Sequence, residues 1–109
     1  MNIKHAAERA GVRPKTIRYY EEIGLLAPQR LPIGHRDFAE CDVLKLSLLK
    51  NARSLGFPME TCRALMLACD EGTSLGDMER VVLHDVLKQV DAKIRSLHMM
   101  RGALEDLVE

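Results

Sequence analysis

The C-terminal part of this chain carries the pattern that most constrains its fold, an apolar stripe along one long helix. From Met78 to about Val108 the apolar residues alternate at spacings of three and four, interrupted only at Arg101. Such a helix of about 30 residues would be roughly 45 Å long, too long for the small domain before it to cover. We therefore predict pairing with a second chain, with packing back on its own domain as the alternative. The members of this apolar stripe are Leu83, Leu87, Val90, Ile94, Leu97, Leu104 and Val108.

At the other end of the chain, two short helices are predicted on either side of a tight turn. Residues 2–12 supply the first helix and the tight turn after it, and Gly11 allows the left-handed conformation that leads into the second helix. Pro14 suits the first turn of the second helix, and Gly24 suits the position just past its end. This spacing is typical of a helix-turn-helix, although any two short helices joined at a glycine look similar.

The second helix has two different faces. At about 100° per residue, Lys15, Arg18 and Tyr19 fall on one side. Thr16, Ile17 and Tyr20 fall on the other and are predicted to face the core. Glu22 stands one turn after Arg18 and is expected to hold its guanidinium as an i,i+4 partner. The basic face predicts a helix that reads DNA, with an ordinary solvated surface as the alternative.

Charge is unevenly distributed along the chain. The 16 basic and 16 acidic side chains cancel overall, but residues 1–36 hold seven basic against three acidic residues. A basic segment joined to an acidic remainder fits a DNA-facing end attached to a segment with another task. Trp is absent and aromatic residues make up 4% of the chain, so the core must be built from aliphatic residues, and the fold class is predicted to be mainly α.

Three cysteines without paired spacing do not form a disulfide framework, which favours a reducing cytoplasm as the location. No signal peptide is visible, and no apolar run approaches the ~20 residues that cross a bilayer, so no membrane partner is expected. No grouping of cysteine, histidine and carboxylate residues suggests catalysis, so the protein is not expected to be an enzyme.

Residues 25–38 are predicted to form a wing of two short strands around a loop, because prolines and a glycine separate short apolar pairs. Arg30 and Arg36 of this wing would meet DNA phosphates. A plain connecting loop is the alternative. Two more helices follow, residues 39–55 ending at Gly56 and residues 59–69 after Pro58. The predicted domains are a DNA-binding domain at 1–70, a linker at 71–76 and a dimerisation helix at 77–109, which Asp77 could cap.

Several motifs in order make the chain resemble the MerR family of transcription regulators over essentially its whole length. They are Thr16-Ile17-Arg18-Tyr19-Tyr20-Glu21 with Gly24-Leu25, then Pro28 and Arg30, then Gly34-His35-Arg36 with Phe38, then Arg53-Ser54-Leu55-Gly56-Phe57, and finally the long terminal helix. The resemblance implies a winged helix-turn-helix followed by a long helix that pairs antiparallel with its mate in a homodimer. It also implies binding to double-stranded promoter DNA, which family members bend and untwist in response to an effector so that RNA polymerase can engage. The residues expected to bind DNA are Lys15, Thr16, Arg18, Tyr19, Tyr20, Arg30, His35, Arg36 and Arg53.

The effector is less well defined by the residues. The resemblance is to the copper(I)-responsive branch, whose cysteine pair lies just beyond the dimer helix, about where this chain stops at Glu109. No metal ligand is predicted within residues 1–109, and copper(I) or another metal ion is expected only if the native chain continues further. A small copper-buffering protein that uses Cys41, Cys62, Cys69 and the histidines is the alternative function. Its weakness is that Cys62 and Cys69 are two helical turns apart, ~10 Å, too far to share one metal ion.

Overall fold

The computed structural model describes residues 1–70 and 76–109, and within them it has five helices and one two-stranded antiparallel sheet. In chain order they are α1 (Ile3–Ala10), α2 (Pro14–Glu22), β1 (Gln29–Arg30), β2 (Arg36–Asp37), α3 (Glu40–Ser54), α4 (Met59–Cys69) and α5 (Asp77–Val108). The chain divides into two compact units, Met1–Ser74 and Leu75–Glu109. Their boundary falls inside the linker predicted at residues 71–76, of which residues 71–75 lie outside the described part of the chain.

Helices α1 and α2 form the helix-turn-helix. Asn2 caps α1, since its side-chain oxygen accepts a hydrogen bond from the backbone N–H of His5 at 2.8 Å. Gly11 ends α1 with φ 71, a left-handed conformation that residues with a Cβ rarely adopt. Its N–H and that of Val12 both donate to the carbonyl oxygen of Ala7, at 2.9 and 3.1 Å. These bonds close the turn that leads into α2, as the sequence predicts.

All the buried hydrophobic residues of the described chain lie in the first unit. α1 contributes only alanines, which lets it pack closely, and α3 supplies Leu46 and Leu49, both fully buried. The wing joins this core through Phe38, which is 2% exposed. The buried hydrophobic residues are Ala6, Ala7, Ala10, Ile17, Tyr20, Leu25, Leu26, Phe38, Val43, Leu46, Leu49, Ala52, Phe57, Cys62 and Met66.

The predicted wing is present as strands β1 and β2. Gln29 pairs with Asp37 and Arg30 pairs with Arg36, so the two wing arginines stand directly opposite each other. The turn between the strands is closed by the N–H of Gly34 donating to the carbonyl of Leu31 at 2.8 Å. Gly34 has φ 91 there, which requires glycine. With two residues in each strand, the wing needs contacts outside the sheet to hold its position.

Helices α3 and α4 begin and end within a residue or two of their predicted limits. At the start of α3, the carboxylate of Asp42 accepts a hydrogen bond from the backbone N–H of Ala39 at 2.8 Å. Helix α5 runs unbroken for 32 residues, as its spacing predicts. The prediction that Asp77 caps α5 is wrong: Gly76, in an extended conformation, is the N-cap and offers no side chain. Asp77 is instead the first helical residue, where a negative charge favours the helix dipole.

Candidate nucleic-acid interface

Helix α2 buries one face and exposes the other. Arg13 precedes it in an extended conformation and Pro14 occupies its first turn. Ile17 is fully buried, which determines which face of the helix is turned towards the core. Tyr19 consequently remains 48% exposed. Lys15 and Arg18 are exposed on the same outer face, as predicted. In the described part of the chain, Arg18 makes no ion pair, so its guanidinium is available to a base or a phosphate.

Two expectations for α2 need correction. Glu22 does not hold Arg18; it is exposed and takes part in no ion pair among the described residues. An exposed i,i+4 pair stabilises a helix by only about 0.2–0.5 kcal/mol, so the spacing permits such a pair without requiring it. Tyr20, predicted to bind DNA, is 6% exposed and belongs mainly to the core, where burial raises the pKa of its hydroxyl. It supports Tyr19, since their ring centroids lie 5.9 Å apart.

The wing arginines are tied to α2 through one carboxylate. Glu21 Oε1 accepts a hydrogen bond from Arg36 Nε at 2.5 Å, and Glu21 Oε2 accepts one from Arg30 Nη2 at 3.1 Å. Arg30 Nη1 also donates to the carbonyl oxygen of Gly34 at 3.0 Å. The side chain of Arg30 is 54% exposed and that of Arg36 is 29% exposed, while His35 is exposed at the turn. The wing residues predicted to bind DNA therefore reach the surface, and the two arginines are held by their ion pairs with Glu21.

A basic groove, which we define by Lys4, Arg13, Lys50 and Arg53, lies at the N-terminal half of α2. It has a volume of about 840 Å³, and Glu8 is the acidic residue in its lining, so the groove carries a surplus of positive charge. Thr16 is half-buried in its wall, and the edge of Tyr20 reaches it. The structure thus places three predicted DNA-binding residues, Thr16, Tyr20 and Arg53, in the lining of one concave surface.

Three groove residues, Lys4, Arg13 and Lys50, were not predicted to bind DNA. Lys50 Nζ lies only 2.8 Å from the position that a Cβ on Gly11 would occupy, so the ammonium group rests on the turn of the helix-turn-helix. Arg53 Nη1 donates to the carbonyl oxygen of Phe57 at 3.2 Å, which holds that side chain at the end of α3. The i,i+3 spacing of Lys50 and Arg53 was the available sequence signal, because it puts both on one helix face. Cations arranged around a concavity can hold phosphate groups.

Helix α5 exposes the predicted apolar stripe. No residue between Asp77 and Val108 is buried, and Leu87, Ile94 and Leu97 are 59%, 46% and 61% exposed. Leu83 and Val90 are half-buried. Towards the end of the helix, Leu104 and Val108 are 50% and 88% exposed. Arg101, where the apolar stripe is interrupted, is exposed and forms an ion pair with Glu105 at 2.9 Å.

The described residues offer no group of three or more histidine, cysteine, aspartate or glutamate side chains that could hold a metal ion. Cys41 is exposed, Cys62 is buried and Cys69 is half-buried, and all three are free thiols. Nothing in this placement favours the alternative of a copper-buffering protein. Across residues 1–70 and 76–109, no helix combines the length and the apolar character needed to span a bilayer.

Comparisons with known proteins agree with this geometry. A family model described as MerR HTH family regulatory protein matches residues 1–69, and one described as MerR, DNA binding matches residues 43–107. The HTH-type transcriptional regulator HmrR of Rhizobium leguminosarum bv. viciae is 44% identical over 108 residues, which cover 99% of this chain and 84% of that protein. Heavy metal-dependent transcription regulator 2 of Rhizobium meliloti is 35% identical, over 98% of this chain and 74% of that protein.

A solved structure matches the fold as well. It is the crystal structure of HiNmlR, a MerR family regulator lacking the sensor domain, bound to promoter DNA, with a TM-score of 0.71 and 26% identity. The match covers 89% of this chain and 74% of that chain. The predictions of a winged helix-turn-helix with a long C-terminal helix and of a DNA-binding regulator are confirmed. The chain belongs to the MerR family of helix-turn-helix regulatory proteins and is a DNA-binding regulator of transcription.

Proposed function

We propose that this regulator binds promoter DNA through three surfaces of the first unit. The outer face of α2 reads base edges with Arg18 and Lys15, supported by Tyr19. The basic groove holds backbone phosphates beside the N-terminal half of α2, and Arg30 and Arg36 of the wing hold phosphates beside its C-terminal end. One observation carries the proposal: Arg18 is exposed on α2 and makes no ion pair among the described residues, and cations lie beside both parts of this short helix, those of the basic groove at its N-terminal half and the wing arginines bound to Glu21 near its C-terminal end.

The division of labour follows from chemistry. An arginine that donates two hydrogen bonds to guanine contributes about 1–3 kcal/mol of discrimination between bases. A cation on a phosphate contributes affinity for any duplex and releases counterions, which makes binding depend on salt. Arg18 should therefore determine sequence preference. The groove and the wing should determine overall affinity and the position of α2 along the duplex.

The effector-dependent step is proposed from similarity. The relative from Rhizobium meliloti is named for its dependence on heavy metals, and we propose that a metal ion switches this regulator between two conformations of the bound promoter. Bending and untwisting the duplex costs several kcal/mol, which the three DNA-binding surfaces would supply. The described residues do not fit a metal site of three or more ligands, so no ligand is assigned. The proposed site of action is the cytoplasm, and the proposed action is binding rather than catalysis.

The test separates base reading from phosphate binding. A duplex is first selected from a random pool with the wild-type protein, and its affinity is compared with that of a scrambled duplex by fluorescence anisotropy at several salt concentrations. Arg18→Ala should lose about 1–3 kcal/mol on the selected duplex only.

Lys50→Met and Arg36→Ala should each weaken both duplexes alike and reduce the salt slope by about one unit. Lys88→Met, on α5, is the matched control for loss of one positive charge. If Arg18→Ala folds and binds the selected duplex as tightly as the wild type, α2 is not the helix that reads the bases. If neither Lys50→Met nor Arg36→Ala changes the salt slope, the groove and the wing do not bind phosphates.

A further inference from the structure

Glu21 occupies an unusual position for a DNA-binding helix. It is the residue before the last in α2, where the helix dipole disfavours negative charge, and it lies on the unit that binds a polyanion. Both effects make a carboxylate unfavourable there. Its side chain is nevertheless ordered and only 16% exposed, while the neighbouring Glu22 is exposed and makes no ion pair within residues 1–70 and 76–109. Because both the helix dipole and nearby DNA disfavour a carboxylate here, its partial burial indicates a structural role.

That reason is the wing. The two carboxylate oxygens of Glu21 have different partners, Arg36 on β2 at 2.5 Å and Arg30 on β1 at 3.1 Å. Since Arg30 and Arg36 are directly opposite each other in the sheet, their guanidinium groups repel unless an anion lies between them. Glu21 is that anion. A sheet of two residues per strand is marginal alone, so this contact holds the arginine side of the wing against α2, in addition to the buried Phe38 that joins the wing to the core.

The contact also leaves the wing able to bind DNA. Arg36 uses Nε in the pair with Glu21, which leaves its two terminal nitrogens for a phosphate. Arg30 uses Nη2 for Glu21 and Nη1 for the carbonyl of Gly34, so its guanidinium is held across the wing turn. Two long side chains that are ordered before DNA arrives lose less conformational entropy when they bind.

We propose that Glu21 is a positioning residue for DNA binding: it clamps Arg30 and Arg36 to the recognition helix and so sets the orientation in which the wing meets the phosphate backbone. This inference rests on the proposed function. Neutralising Glu21 has opposite expected effects under the two possible roles of this carboxylate. If Glu21 acted only as a negative charge near DNA, its neutralisation would strengthen binding to any duplex. If Glu21 is a clamp, neutralisation weakens binding although the protein becomes more positive.

The experiment is Glu21→Gln against Glu22→Gln as a matched control, since the two changes remove the same charge at adjacent positions. Anisotropy on the selected duplex should show about tenfold weaker binding for Glu21→Gln. Glu22→Gln should bind as tightly as the wild type or slightly more tightly. Glu21→Asp keeps the charge but shortens the reach by one methylene, and we expect it to lie between the wild type and Glu21→Gln. Circular dichroism melting monitors folding of every variant.

A double-mutant cycle distinguishes the clamp from a general effect on α2. In a background with Arg30→Met and Arg36→Met, Glu21→Gln should have no further effect on DNA binding. The inference is overturned if Glu21→Gln binds as tightly as the wild type, or if it weakens binding equally in both backgrounds. Should Glu21→Gln melt below the working temperature, Glu21→Asp binding as tightly as the wild type would also overturn it. Failure of the wild type to prefer its selected duplex would instead contradict the proposed function, and is observed before any Glu21 variant is made.

Discussion

The two units of this chain contain similar kinds of apolar residues and use them in opposite ways. Residues 1–70 bury fifteen hydrophobic residues in one core, whereas α5 buries none along its 32 residues. Leu46 of α3 is fully buried, while Ile94 and Leu97 of α5 are 46% and 61% exposed. The difference shows that a hydrophobic pattern can form a core within the chain or remain exposed, and for α5 we predict that a second copy of the chain covers it.

This contrast has a thermodynamic consequence. Stability that comes from an internal core does not depend on protein concentration. Stability that comes from pairing two copies of α5 does depend on it, because association shifts with concentration. Unfolding of the first unit and of α5 should therefore respond differently to dilution and to substitution.

The largest effect is expected for Ile94→Asp, on the apolar stripe. An unpaired carboxylate placed in an apolar interface costs about 3–5 kcal/mol, so the dimer should dissociate at micromolar concentration. Leu87→Asp should behave in the same way. Ser96→Asp adds the same charge to α5 outside the apolar stripe and should leave the dimer intact. Equilibrium sedimentation measures all three, and a wild-type monomer at micromolar concentration would remove the apolar stripe as a dimer interface.

A smaller effect is expected in the core of the first unit. Leu46→Ala should reduce the free energy of unfolding by about 2–5 kcal/mol, because it leaves a cavity among residues that cannot fully collapse. Leu44→Ala is the control on the same helix, where the leucine is 58% exposed, and it should cost less than about 1 kcal/mol. Urea unfolding followed by circular dichroism gives both values. Equal losses for the two variants would contradict the placement of the core.

The sequence predicts the elements of this contrast well where local pattern determines them. The period of the apolar stripe predicts α5, Gly11 marks the turn between α1 and α2, and Gly34 marks the turn of the wing. These features depend on residues near one another in the chain. They also depend on backbone conformations that few residues other than glycine adopt. Limits of helices are predicted to within a residue or two for the same reason.

The sequence does not predict which distant side chains meet. Arg18 and Glu22 are one turn apart and suggested a pair, but the carboxylate that binds arginines is Glu21, whose partners lie nine and fifteen residues away. The basic groove draws Lys4, Arg13 and Lys50 from three segments of the chain. The packing of α1 against α2 and α3 brings them together. The different burial of Tyr19 and Tyr20, by contrast, follows from the helix period and is predicted.

The smallest effect concerns the thiols of the first unit. Burial raises the pKa of the Cys62 thiol, and it raises that of Cys69, so less of the reactive thiolate is present at a given pH. Cys41 is exposed on the first turn of α3. We expect Cys41 to react with iodoacetamide at least tenfold faster than Cys62 at pH 8, with no loss of DNA binding after the first modification. Peptide mass spectrometry over time assigns the sites. Modification of Cys62 at the rate of Cys41 would show that the core opens readily.

The most direct test of a dimer that reads DNA with α2 is a hydroxyl-radical footprint on the selected duplex. A homodimer with a two-fold axis should protect two regions related by that axis, about one helical turn apart or a multiple of it, and the selected sequence should be an inverted repeat. Ile94→Asp should lose the second protected region at concentrations where the wild type protects both. A single protected region for the wild type, or a footprint that Ile94→Asp leaves unchanged, would contradict the dimeric regulator.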